Sequence, residues 1–182
     1  MTSRESLESQ TETLRAALDR IMSLQSQSAF KSAFKEVQEQ QNHTIHIIPA
    51  KREWLDTFNC YAYALGIVDN PRYQALVERH HSALANSEFM STLLVCGELI
   101  EINEANVRIG DLVIYSKDGR VTHAGVTVTD RQSVLSKWGP NELYEHGLWE
   151  VPESYGGQMQ FAEAPDTNRI IDLLEGHVAH KG

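Results

Sequence analysis

Four short runs of β-branched and aliphatic residues follow one another through the middle of the chain: ELIEI (98–102), GDLVIY (110–115), HAGVTV (123–128) and SVLSKW (133–138). The segments SKDGR and TDRQ between three of them are turn-forming, so the runs predict an antiparallel meander. What precedes and follows them has a helical period. A capping-box spacing at Thr2 and Glu5 opens a helix over 2–24, with Leu7, Leu14, Leu18, Ile21 and Met22 on one face. After the break SLQSQS (23–28), Phe30, Phe34 and Val37 mark a second helix. HTIHII (43–48) reads as a short strand closed by Pro49, and Asp56 or Thr57 can cap the helix that carries NCYAYALG (59–66). Residues 72–95 are helical in pattern, and a last helix spans about 167–180 with Ile170, Ile171, Leu173, Leu174 and Val178 on its apolar face.

Helices, then antiparallel strands, then a helix make an α+β layout rather than a βαβ alternation. No internal repeat is visible. Residues 1–41 form a helical arm, and residues 42–182 form the domain proper. The arm's apolar stripes are expected to pack on its own domain, with a partner-binding hairpin as the alternative. At 182 residues the chain has the length of one domain with a core of its own.

The net charge of -9 excludes the basic stripe that nucleic-acid binding requires. Arg4, Glu5, Glu8, Glu12 and Arg15 interrupt the first thirty residues, so no secretory signal is read there, and no run reaches the roughly 18 apolar residues of a membrane span. Two cysteines give no extracellular disulfide framework. The expected location is the cytoplasm, with signal-independent export open.

A cysteine nucleophile needs thiolate character, which a helix start or a nearby imidazolium supplies. Cys60 stands at a predicted helix start, where its own N–H joins the unpaired donors of the first turn and the Asn59 amide offers a second donor for an oxyanion. Of eight histidines, His123 stands out because it opens a strand and is followed by Ala124 and Gly125, which leave room for a close neighbour. The next strand brings Ser136 and Lys137 alongside as groups that could orient the imidazole. Trp138 and His146 are candidate cleft residues, whereas Cys96, between Val95 and Gly97, reads as a small buried apolar residue. The HxxH pairs at 43–46 and 177–180 lack companion ligands, so no metal and no cofactor is expected.

In this order, NCYAYALG, GDLVIY and HAGVTV resemble the NlpC/P60 and CHAP superfamily of papain-like amidases and peptidases. VLSKWGPNELYEHGLWEVPESYG (134–156) is similar to a bacterial branch with Cys, Gly-Asp, Thr-His and Ser-Lys-Trp-Gly landmarks, so the resemblance covers about residues 54–156. It implies a papain-like core, with a cysteine-bearing helix packed on a small antiparallel sheet. It also implies hydrolysis of a peptide or protein amide, in which Cys60 attacks and His123 takes and returns the proton. Peptidoglycan peptides are the superfamily's commonest substrates; acyl transfer and deamidation share the thioester. The third polar position falls on Ser136, which carries no charge, with Lys137 as its rival. A catalytically silent papain-like scaffold, binding a protein through the N-terminal helices, is the other reading.

Overall fold

Strands that are apolar on both sides need a layer of helices on each face, and this chain supplies both. The structure, a computed structural model, describes residues 3–24, 26–80, 85–129 and 133–179. The Thr2 half of the capping box, the TDRQ turn beyond Thr129, and His81 and His180 lie outside the described residues.

The fold is α+β. Among the described residues seven helices, α1 (Ser3–Met22), α2 (Gln27–Gln40), α3 (Arg52–Leu55), α4 (Cys60–Ala64), α5 (Pro71–Arg79), α6 (Ser87–Val95) and α7 (Thr167–Ala179), accompany seven strands. The strands are β1 (His46–Ile48), β2 (Glu101–Ile102), β3 (Leu112–Lys117), β4 (Arg120–Thr129), β5 (Ser133–Lys137), β6 (Leu143–Gly147) and β7 (Gln158–Ala162). They form one antiparallel sheet in the order β1-β6-β5-β4-β3-β7-β2. Three of the four runs expected as a meander, β3, β4 and β5, are hydrogen-bonded neighbours at its centre; the fourth, β2, lies at the edge beyond β7, and β6 continues the meander where no strand was expected. The β3–β4 hairpin closes on Asp118 and Gly119, whose φ values of 51° and 75° suit a tight primed turn.

Alternate residues of the central strands face different cores. Leu112, Ile114, Ala124, Leu143 and Ala162 meet α3–α7, with Leu55, Ala62, Tyr73, Met90 and Ile171 among the contacts. Val113, Tyr115, Val134, Tyr144 and Phe161 meet the arm through Leu14, Leu18, Ile21, Phe30, Phe34 and Val37. The arm's apolar stripes thus pack on its own sheet. Phe34 sits edge-on to Tyr144 at 5.5 Å, and Ser26 caps α2 by accepting the Ala29 N–H. Burying a side chain such as Leu18 or Phe34 contributes about 1.5–3 kcal/mol each, which holds the arm down.

ELIEI is a strand only at its end. The N–H groups of Glu98 and Leu99 bond the Leu93 carbonyl, around Gly97 at φ 72°, and so close α6 rather than start a strand. The helical stretch expected over 72–95 is two helices, each with its own asparagine cap, Asn70 and Asn86. Among the described residues no helix is long and apolar enough to cross a membrane.

Candidate functional site

Cys60 begins α4 because Asn59 caps it. The Asn59 Oδ1 accepts the Ala62 N–H at 3.0 Å, and its Nδ2 donates to the Ala85 carbonyl at 2.6 Å. The cap is therefore Asn59, not Asp56 or Thr57, since Asp56 already ends α3. The Oδ1 and one Nδ2 hydrogen are thus engaged, and the oxyanion role expected of Asn59 would fall to its second Nδ2 hydrogen. Asn59 also holds the structure: Asn59→Ala should cost about 1–2 kcal/mol, through a lost cap and an unpaired Ala85 carbonyl, read as a lower urea midpoint.

The Cys60 side chain packs against the α3–α7 core. Burial pushes its thiol up to about 11, against the pull of the Ala124 and Tyr61 backbone N–H groups and the Lys137 charge. A thiol at that value is about one part in ten thousand thiolate at pH 7. Lys137 projects to the same face. Its Nζ donates to the Gly139 carbonyl at 2.5 Å and lies 5.6 Å over the Phe58 ring. Burial, followed by the Arg52 charge, lowers its pKa, and the Cys60 thiol acts in the opposite direction.

His123 is one residue before Ala124, and successive residues of a strand project to opposite faces. Ala124 belongs to the core that Cys60 packs on. The His123 ring turns the other way, stacked on Tyr155 at 3.9 Å and 12°, and 5.7 Å from Tyr115, on the arm's side of the sheet. The unbroken register from Leu112↔Val126 to Tyr115↔His123 sets this phase; beyond it a bulge pairs Ser116 with Val121 and leaves Thr122 as the extra residue. The Thr122 hydroxyl bonds the carbonyls of Tyr115 and Tyr155, which anchors the bulge. Cys60 and His123 therefore reach β4 together, as their order in the chain suggested, but the structure does not join their side chains. The His123 Nε2 is buried and has no hydrogen-bond partner among the described residues. Burial holds its pKa well below the ordinary histidine value, and the His146 charge adds to this.

Ser136 does hold an imidazole, but that of His146. Its Oγ is 2.8 Å from His146 Nε2 and accepts the Trp138 Nε1–H at 3.0 Å, while His146 Nδ1 lies 2.8 Å from the Gly147 carbonyl. The donors run in one direction: Trp138 N–H to Ser136, Ser136 O–H to Nε2, and Nδ1–H to Gly147. Burial lowers His146 to about 4. Ser136, Trp138 and His146 are buried in the arm-side core, so neither Trp138 nor His146 walls an open cleft. Trp138 instead stacks on Tyr144 at 4.3 Å.

Two further residues differ from expectation. Cys96 is exposed, as the C-cap residue that ends α6. Tyr155 escaped the sequence reading, since a short 3-10 turn (Glu153–Tyr155) leaves no periodic signal. The Gly-Asp landmark is structural: Asp111 accepts the N–H groups of Arg108 and Ala164, tying the start of β3 to the end of β7. His43 of the first HxxH pair accepts the Ile45 N–H, and His177 of the second packs on Phe89 at 5.3 Å. Among the described residues no three His, Cys, Asp or Glu side chains gather as a metal site would require.

One family model, described as a domain of unknown function (DUF7689), matches residues 50–163, from the approach to α3 to just past β7. No curated protein and no solved structure matches the chain.

Proposed function

The chain belongs to the DUF7689 family. We propose that it is a papain-like scaffold that runs no Cys60–His123 chemistry and serves as a protein-binding module through its N-terminal helices. The observation that carries this reading is the division of the pair between two faces of β4, with Cys60 on the α3–α7 core and His123 stacked on Tyr155 beneath the arm. A general base must come within about 2.6–3.2 Å of the proton it takes, and no side-chain rotation carries an imidazole through a hydrogen-bonded sheet. The arm adds a surface to this reading. A cleft of about 420 Å³ between α2 and the edge strand β1 is walled by Phe30, Phe34, Ile47 and Pro49.

The amide-hydrolase reading keeps one observation in its favour: the N–H groups converging on Cys60, with Lys137 on the same face. Site-resolved alkylation separates the two. Iodoacetamide is applied across pH 6–10 and each cysteine is followed by mass spectrometry, with the exposed Cys96 as internal standard. The binding-module reading expects Cys60 to lag Cys96 throughout, with no inflection below about 8.5, the free-thiol value. A Cys60 inflection well below that value, lost in His123→Ala, would restore the enzyme.

A further inference from the structure

A cleft of about 570 Å³ opens between α1, the tip of the β3–β4 hairpin and the connection from β6 to β7 (148–157). Its most unusual member is Arg15, a guanidinium only 9 % exposed. One of its amines, Nη2, donates to the Gly156 carbonyl; the other, Nη1, is buried and has no partner among the described residues. A buried charged donor left unpaired costs several kcal/mol, so a chain that keeps one is expected to fill it from outside. Arg15 also lies 5.4 Å over the ring of Trp149, a large aromatic that stays 38 % exposed at the cleft instead of joining the core.

The rest of the lining decides what could fill the site. Lys117, exposed at the tip of the β3–β4 hairpin, adds a second positive charge, while Glu12 and Glu153 supply two negative ones. Asp19 stands behind them and is engaged by the Ser154 N–H. Two cations beside two anions disfavour a polyanion such as a nucleoside phosphate, which Glu12 and Glu153 would repel. They disfavour a polycation equally. The pattern suits a molecule carrying one charge of each sign and an apolar body to lie against Trp149.

We propose that this cleft binds a small zwitterion of the α-amino-acid class with an apolar or aromatic side chain. Its carboxylate would meet Arg15 and Lys117, its ammonium Glu12 and Glu153, and its side chain the exposed part of Trp149. The site lies on the arm's side of the sheet and does not involve Cys60, so it stands or falls apart from the thiol's reactivity.

The test is calorimetric titration of the full chain with L-phenylalanine and L-leucine, beside N-acetyl-L-phenylalanine and L-phenylalanine amide, which each lack one charge. The expected result is saturable binding of the free amino acids, weakened at least about tenfold by either blocking group, since each loses a charge-assisted contact. Lys117→Ala and Trp149→Leu, both at exposed positions, should weaken binding about fivefold or more with the thermal unfolding curve unchanged. Arg15→Lys keeps the charge but loses the fork, and should weaken it too. No heat from either amino acid up to about 10 mM, equal binding of the blocked forms, or unchanged affinity in both exposed variants would each overturn the proposal.

Discussion

Replacing Gly156 by alanine should destabilise the protein by more than about 3 kcal/mol, whereas the same change at its neighbour Gly157 should cost less than about 1 kcal/mol. Gly156 ends the 153–155 turn with φ at 103°, a region that side chains of L-residues rarely enter. A Cβ built there would lie 2.1 Å from the Ser116 carbonyl oxygen and 2.5 Å from its carbon. Both obstacles are backbone atoms of β3, held in the ladder with β7 at Ser116–Gln158, so no rotamer change can clear them. At Gly157 a Cβ meets nothing within 4 Å. Urea midpoints of the two variants measure the contrast, and a Gly156→Ala variant within 1 kcal/mol of the parent would contradict this account. The close approach does more than pack. It sets Tyr155 as the shelf for the His123 ring and offers the Gly156 carbonyl to Arg15, so one glycine positions both the buried histidine and the proposed ligand cleft.

How much of this was legible in the sequence follows from where periodicity survives. The central strands carry unbroken aliphatic runs because both faces are covered, and VIY within β3 has no polar residue to conceal it. The arm was legible for the same reason, Leu14, Leu18 and Ile21 being spaced by a helical period and buried as that spacing predicts. Strands β6 and β7 were not. LYEHG hides its pairing because Glu145 faces Ser133 and His146 is satisfied by Ser136, so polar residues occupy strand positions that hydropathy reads as loop. QMQFA has the same defect at Gln158 and Gln160. The candidate site failed at a finer scale. Order along the chain brought Cys60 and His123 to the same stretch of β4, but the face His123 takes depends on its register opposite Tyr115, and a register one residue different leaves no mark in composition. Ser136 was expected to orient His123; its hydroxyl meets His146 instead, on β6, a strand the sequence did not reveal.

Stability should fall steeply as pH is lowered from 6.5 to 4.5, a range whose upper part lies above the ordinary titration of the carboxylates. In the folded state His146 is depressed to about 4 by burial, and His123 is held well below the ordinary value for the same reason. In the unfolded chain both return to about 6.5. The unfolded state therefore binds more protons throughout this range, and by linkage the folded state loses ground as pH falls. Above 6.5 both imidazoles are neutral in either state and the full stability is present; it is lost progressively towards the folded pKa values. For His146 alone the loss between pH 6.5 and 4.5 is about 2 kcal/mol, and His123 adds to it in the same direction. The groups around the two rings do not reverse the sign. His123 faces Tyr115 and Tyr155, with His146 as its nearest charge, and His146 has the Ser136 hydroxyl and Gly147 carbonyl as its bonding partners, with Glu145 and Glu150 acting only through space. Urea titrations at half-unit pH intervals should give a slope of about two protons or more taken up on unfolding near pH 5, since burial lowers His43 as well, and replacing His146 with glutamine should remove about one of them. A flat profile would mean that the rings find a counter-charge, and the reading of His123 as a neutral, stacked core residue rather than a partner for Cys60 would have to be given up.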